Sequence, residues 1–189
     1  FMLGAKVEDL NFIVSLAGTA VSGDQILIEQ NRVLLEKSEV PTEIVNSYCE
    51  LLKEIYAIKR SGAQFDRESK ITELRNKYSY LPLQMIGNIA ALLQPQAWID
   101  YFISYDPTEA LKNIGCRVLA LNGDKDVQVI AKQNIDALKQ HILAEQLTTK
   151  IYPDLNHLFQ HCTTGMPNEY YQIEETISPE VLKDIINWI

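Results

Sequence analysis

The sequence predicts an α/β fold, with parallel strands flanked by helices and one inserted helical segment. Three observations predict it. Short apolar runs bounded by glycine or turn residues occur at Asn11–Gly18, Arg117–Leu121 and Thr148–Tyr152, the length and composition of strands buried inside a sheet. A helix-length segment, Val129–Leu143, separates the last two runs, which is the spacing of a right-handed parallel crossover. Between the first two runs, from about Val21 to Tyr105, the pattern is helical throughout. The chain is therefore expected to divide into a partial α/β core, residues 1–20 and 106–189, and a helical subdomain, residues 21–105.

Phe1 to about Lys6 is expected to be the tail of a helix with Gly4 near its end. The run from Asn11 to Gly18 follows as a strand buried on both faces. Ser22 with Gln25 three residues on forms a capping box, opening a helix that carries Leu27, Asn31, Leu34 and Leu35. Pro41 suits the first turn of the next helix, to about Lys59, with Ile44, Val45, Tyr48, Leu51, Leu52, Ile55 and Ile58 on one stripe. Asp66 can cap a third helix to about Tyr78, and shorter helices are expected over Leu83–Leu93 and Gln96–Ile103. Asp106-Pro107-Thr108-Glu109 reads as a cap with proline at the first helical position. Strand, helix and strand then alternate to Tyr152. The loop 153–177 is longer than a loop without a role usually is and is expected to frame a site entrance. Ser178-Pro179-Glu180 opens the final helix to Ile189.

With 189 residues, 47% of them hydrophobic, the chain can bury one substantial core. No run approaches 18 consecutive apolar residues, so no transmembrane helix is expected. Net charge is −8 without a block of like charges, which disfavours nucleic-acid backbones and anionic membranes as partners. Cys49, Cys116 and Cys162 are too irregularly spaced for a disulfide framework, and Cys116 reads as a small apolar residue ahead of a strand. Phe1-Met2-Leu3-Gly4 resembles neither a signal peptide nor a natural start, so the chain is expected to be the middle of a longer protein. Compartment is left open.

The chemistry-bearing stretches are Asn122-Gly123-Asp124-Lys125-Asp126-Val127-Gln128-Val129 and Pro153-Asp154-Leu155-Asn156-His157, each just after a predicted strand. In open α/β sheets ligands bind outside the carboxyl ends of strands. A carboxylate and a histidine there are what a hydrolase needs to hold an imidazole in one tautomer. On residue type alone, Asp124 and Asp126 equally serve a turn or cap the following helix, and a lone histidine after a strand is ordinarily a polar loop residue. His161 is the nearest rival to His157, expected to be exposed or to support it; His141 is expected on the surface.

His157 and His161, one helical turn apart with Cys162 and Glu169 nearby, raise a metal site, but the metalloprotease pattern needs Glu directly after the first His, where this chain has Leu158. No G-x-S-x-G occurs. Ser22 is better used as a cap, Ser61 lies between helices, and no oxyanion hole is marked beside Cys162. The helical zone carries Tyr48, Tyr56, Tyr78, Tyr80, Met85, Trp98, Tyr101 and Phe102. Helical spacing makes most of these core, while Trp98, Tyr101 and Phe102 are the candidates for an apolar substrate pocket.

These residues together resemble the C-terminal half of the α/β-hydrolase superfamily, in particular bacterial esterases and serine-aminopeptidase-like members. The likeness is carried by Ser15-Leu16-Ala17-Gly18, the helix with Glu29-Gln30, Tyr105-Asp106-Pro107, Leu119-Ala120-Leu121-Asn122-Gly123-Asp124-Lys125-Asp126 and Asn156-His157-Leu158-Phe159-Gln160, and it spans essentially the whole chain. It implies a helical cap between two core strands and the chain order nucleophile, acid, histidine. The G-x-x-D pattern then selects Asp126 as the triad acid and leaves Asp124 as a turn residue, with His157 as general base. The nucleophilic serine, its oxyanion hole and the earlier strands would lie upstream of Phe1, making the missing N-terminal half a partner and the isolated chain inactive. The implied reaction is hydrolysis of a small ester or amide, a carboxylesterase first and a peptidase or acyltransferase on the same triad second. No cofactor or metal is implied. The competing expectation is a non-catalytic binding domain on the same fold. A sheet lacking its earlier strands is also expected to self-associate through its open edge.

Overall fold

A computed structural model describes all residues from Phe1 to Ile189. The chain forms two compact units, one of residues 22–105 and the other of residues 1–21 with 106–189.

The first unit is entirely helical. Helix α1 (Gly23–Lys37) has Ser22 at its N-cap, but that hydroxyl makes no cap bond. It donates to Asp24 Oδ1, and the Gln25 N–H that the Ser22 hydroxyl was expected to accept goes to the same carboxylate oxygen at 2.9 Å. A carboxylate two residues on is the stronger acceptor. Gly23 has a packing reason: a Cβ there would lie 2.3 Å from the Phe102 carbonyl oxygen. Helix α2 (Thr42–Arg60) follows Pro41 and buries Val45, Tyr48, Cys49, Leu51, Leu52, Ile55 and Tyr56 along one stripe. Helix α3 (Arg67–Lys77) starts at Asp66, whose carboxylate accepts the Glu68 N–H. The helix expected over Leu83–Leu93 is divided into α4 (Leu83–Gly87) and α5 (Ile89–Leu92) around Asn88. Helix α6 (Ala97–Ser104) completes the unit. Leu51, Leu52, Ile55, Leu74, Ile89 and Ile103 form its centre, each almost wholly buried.

The second unit is α/β. Strands β1 (Phe12–Leu16), β2 (Arg117–Gly123) and β3 (Leu147–Tyr152) form one parallel sheet in the order β1-β2-β3. Helices α7 (Thr108–Lys112), α8 (Ala131–His141) and α9 (Pro179–Trp188) accompany it. The two-residue period of β2 explains how the sheet is covered. Val118 and Ala120 pack with Leu111, Ile135 and Leu138, while Leu119 and Leu121 pack with Tyr152, Leu155 and Val181. Alternate side chains leave opposite faces of a strand, so α8 meets one face and α9 the other, the covering parallel sheets require.

Some expectations shift. Strand β1 is only half-buried where burial on both faces was expected, because it pairs with β2 alone and stands at the sheet margin. Strand β2 runs two residues further than expected, since Asn122 and Gly123 keep pairing with Ile151 and Tyr152. Phe1–Lys6 forms turns, with the bonds Ala5 N–H to Phe1 O and Val7 N–H to Leu3 O, rather than a regular helix. The loop 153–177 contains a 3-10 turn, Pro167–Gln172. No helix is long and apolar enough to cross a membrane.

Candidate active site

The turn after β2 and the loop after β3 are stitched together by main-chain and side-chain bonds. Asp124 N–H donates to Tyr152 O at 2.9 Å and Lys125 N–H to Leu155 O at 3.0 Å. In return, Asp154 N–H donates to Asp124 Oδ1 at 2.7 Å, and Lys125 pairs with Asp154 at 2.6 Å. That pairing pushes the exposed Asp154 carboxyl below its ordinary value, chiefly through the hydrogen bond from Lys125. Gly123 lets the two segments meet, because a Cβ there would fall 2.0 Å from Leu155 O and 2.8 Å from Asn156 O.

Asp126 lies in this junction and is 3% exposed. Its Oδ1 accepts the main-chain N–H groups of Gln128 at 2.8 Å and Val129 at 2.9 Å. Its Oδ2 lies 2.9 Å from Nδ1 of His157, 31 positions along the chain. The two uses open to Asp126 in the sequence, turn acceptor and histidine partner, are therefore each filled by one oxygen. Helix α8 itself starts at Ala131, two residues later than the expected Val129. A carboxylate can only accept, so Nδ1 carries the proton. That leaves Nε2 of His157 as the nitrogen with a free lone pair. The His157 side chain is 27% exposed and that of Asp126 not at all, so the pair has one buried end and one accessible end.

His157 is held by its own loop. Asn156 is fully buried; its Oδ1 accepts the N–H groups of Leu158 at 2.9 Å and Gln160 at 3.0 Å, and its Nδ2 donates to Gln160 Oε1 at 3.0 Å. Phe159 turns the chain with φ of 58° and accepts the Ser178 N–H at 2.8 Å. Leu155 and His161 close the loop as an antiparallel bridge. Two further residues complete the surroundings. Gln128 Nε2 donates to the Tyr170 hydroxyl at 3.0 Å. Burial pushes the Tyr170 phenol up, the Gln128 bond opposes this, and the Asp126 charge adds to it. Sequence reasoning passed over Asn156, Gln128 and Tyr170. Asn156 carried a usable signal, a side chain suited to bonding main-chain groups two and four residues on; Tyr170 carried none beyond the length of its loop.

The other candidates are placed elsewhere. His161 Nδ1 pairs with Glu175 Oε2 at 2.9 Å, and a bond from its own main-chain N–H heads the contacts that hold the Glu175 carboxyl below its ordinary value. No three His, Cys, Asp or Glu side chains are grouped to hold a metal ion. The Cys162 thiol is pushed up by burial and by the Glu169 charge, the opposite of what an activated nucleophile needs. His141, expected on the surface, is half-buried in the last turn of α8. Ser22 is buried against Asp24, and Ser61 donates to Ile58 O.

Of the aromatic set, Tyr48, Tyr56 and Tyr78 belong to the helical core, with Met85 and Phe102 packed against it. Burial carries the Tyr56 phenol up to about 12. The three pocket candidates all lie on α6. Trp98 stacks on Phe102 at 5.4 Å and is 70% exposed, and Tyr101 stacks on Tyr105 at 5.8 Å and is 58% exposed. Within the sheet unit, a cleft of about 620 Å³ adjoins His157, with Leu16, Leu158, Phe159, Ile173 and Ile177 among its lining. Residues 173–177 of the long loop form one wall of it.

Fold and site together define an α/β protein in which a buried carboxylate is aimed at an accessible imidazole across two strand ends. No protein-family profile and no curated protein matches the chain. Among solved structures, the chain is similar to one described as the crystal structure of E-2-(acetamidomethylene)succinate hydrolase, at 17% identity and a TM-score of 0.44. The similarity covers 98% of this chain and 60% of that one, so this chain spans less than two thirds of that protein's length.

Proposed function

We propose that this chain carries the acid and the base of a serine hydrolase of the α/β-hydrolase type, with Asp126 orienting His157, and that its nucleophile is a serine N-terminal to Phe1. The observation that supports this reading best is the single contact of 2.9 Å between Asp126 Oδ2 and His157 Nδ1, with the other carboxylate oxygen fixed by two main-chain donors. In the reaction, Nε2 of His157 takes the serine proton as the hydroxyl oxygen attacks the acyl carbon. The same proton then goes to the departing alkoxide, leaving an acyl-serine. Water repeats the sequence: His157 accepts its proton, the hydroxide attacks, and the proton returns to the serine oxygen as the carboxylic acid leaves. Asp126 stays anionic throughout and steadies the imidazolium each time it forms. This chemistry needs no cofactor. The substrate is a small ester, with the apolar lining of the cleft beside His157 offering surface to its acyl or aryl part. Amide hydrolysis and acyl transfer to another acceptor use the same groups.

The test is hydrolysis of p-nitrophenyl acetate by the 189-residue chain and by a chain extended upstream through the nucleophile turn, each with and without His157→Ala. The expected result is turnover in the extended chain, lost with the substitution, and none in the shorter one. Turnover in the shorter chain that depends on His157 would overturn the upstream nucleophile and point to Cys162. A fully inactive extended chain, against amides as well as esters, would favour a binding domain.

A further inference from the structure

The long loop after β3 does more than wall the cleft. Its 3-10 turn, Pro167–Gln172, is anchored from both sides. On one side the Glu169 carboxylate accepts the N–H groups of Thr164 at 3.0 Å and Gly165 at 3.0 Å. On the other, Gly165 has φ of 76° and sits so close to Lys125 that a Cβ would lie 2.0 Å from the Lys125 carbonyl oxygen. This holds the turn against the segment that carries Asp126. The half-buried Tyr170 is thereby brought to Gln128, whose side-chain amide donates to the phenol oxygen at 3.0 Å. Gln128 is also the residue whose main-chain N–H holds Asp126 Oδ1 at 2.8 Å. The contacts form one chain: Tyr170 to Gln128, Gln128 to Asp126, and Asp126 to His157.

We propose that Tyr170 is a positioning residue for His157, acting through Gln128 and Asp126 to hold the Asp126–His157 hydrogen bond in place and screened from water. Two properties of the arrangement carry the argument. Gln128 joins the acid through its main chain and Tyr170 through its side chain, so a shift of the phenol is passed to the carboxylate. The Glu169 bonds and the close approach of Gly165 to Lys125 fix the turn that carries the phenol, so the chain of bonds has a fixed outer end. A hydrogen bond screened from solvent gains strength from the low local dielectric and loses it when water enters. Removing one hydroxyl would leave the Gln128 amide without its acceptor and open a path for exchange. The inference rests on the proposed hydrolase reading for its catalytic meaning, but it can be tested without turnover.

The experiment follows the low-field imidazole N–H proton of His157 by NMR in the 189-residue chain, identified by its disappearance in His157→Ala. Its exchange with water is compared among the unsubstituted chain, Tyr170→Phe, Gln128→Ala and the double variant, each shown to be folded by circular dichroism. Tyr170→Phe and Gln128→Ala are each expected to speed exchange about tenfold or more, and the double variant no further than the faster single one, because both break the same chain of bonds. Tyr171→Phe, at a neighbouring residue that is 81% exposed, is expected to change nothing. Unchanged exchange in Tyr170→Phe, additive effects in the double variant, or an equal effect from Tyr171→Phe would each overturn the proposal. So would the absence of a slowly exchanging imidazole proton in the unsubstituted chain. In the extended chain, Tyr170→Phe is expected to lower kcat with little change in KM; failure of the hydrolase reading would appear separately, as no turnover before any substitution.

Discussion

The two units of this chain are held together by different physics. In the helical unit the interior is almost wholly apolar: Val45, Cys49, Leu51, Ile55, Leu74, Ile89 and Ile103 are sealed from solvent, and the buried polar residues are Ser22 and Asp24 at the start of α1. In the sheet unit the apolar clusters cover the two faces of β2, but the strand ends are built from buried polar groups. Asn122, Asp126, Asn134, Asn156, Gln160 and Ser178 are all buried there. Apolar burial stabilises without choosing an orientation, whereas a buried polar group is tolerated only in a geometry that satisfies its bonds. The difference teaches where this chain needs accuracy. It lies at the turn holding Asp126 and the loop holding His157, where Asn122, Asp126 and Asn156 each bond neighbouring main chain.

That contrast predicts opposite signatures for substitutions in the two units. The largest effect is expected from Asp126→Asn in the extended protein, which keeps the side-chain shape but favours the wrong imidazole tautomer. A loss of about 10⁴-fold in kcat is expected, with the thermal midpoint little changed; steady-state kinetics and a melting curve check it together. Next is Leu51→Ala. Truncating a sealed core leucine costs about 2–5 kcal/mol, read from urea unfolding, while the low-field His157 proton of the folded chain stays as it was. If Leu51→Ala removed that proton as thoroughly as Asp126→Asn, the division of labour would be wrong.

Asn156→Ala sharpens the comparison. It leaves the Leu158 and Gln160 N–H groups and the Gln160 side-chain oxygen without their partner, at a cost of about 1–3 kcal/mol. Unlike Leu51→Ala, it is expected to speed exchange of the His157 ring proton as well.

Much of this contrast was legible in the sequence, for identifiable reasons. The α/β class followed from three apolar runs of strand length, because parallel strands buried on both faces leave that pattern; β2 is such a strand. The stripe on α2 was readable because one face of a helix buries at the period of three and four residues. Asp66 was readable as a cap because a carboxylate ahead of a helix has one obvious use. Ser22 misled because the Asp24 carboxylate takes the Gln25 N–H, a choice invisible in the capping pattern. For the site, Asp126 and His157 could each be placed at a strand end, but their separation depends on register. Only the pairing of Gly123 with Tyr152 and the lack of a Cβ at Gly123 bring the two segments into contact. Tyr170 was out of reach for the same reason: it meets Gln128 through a fold of the long loop that no local rule specifies.

The smallest expected effect is electrostatic. Asp184 is held below its ordinary value, first by the hydrogen bond from Lys150 and then by that from the Tyr152 hydroxyl, and Glu175 is lowered first by the His161 main-chain bond. For a carboxyl whose folded value is depressed, the unfolded chain binds the proton first as pH falls. Its stabilising contribution is complete above the ordinary carboxylate range of about 4 and is lost as pH drops through the folded value. The urea midpoint is therefore expected to fall on acidification below that range, and less steeply in Lys150→Met, where Asp184 has lost its principal partner.

The central claim is that Asp126 and His157 serve a nucleophile. The most direct measurement is labelling of the extended protein with a fluorophosphonate, followed by mass spectrometry of the modified peptide, with and without His157→Ala. The account predicts one modified serine, N-terminal to Phe1, and loss of the label when His157 is removed. A label that persists without His157, or an extended protein that takes no label at any serine, would contradict it.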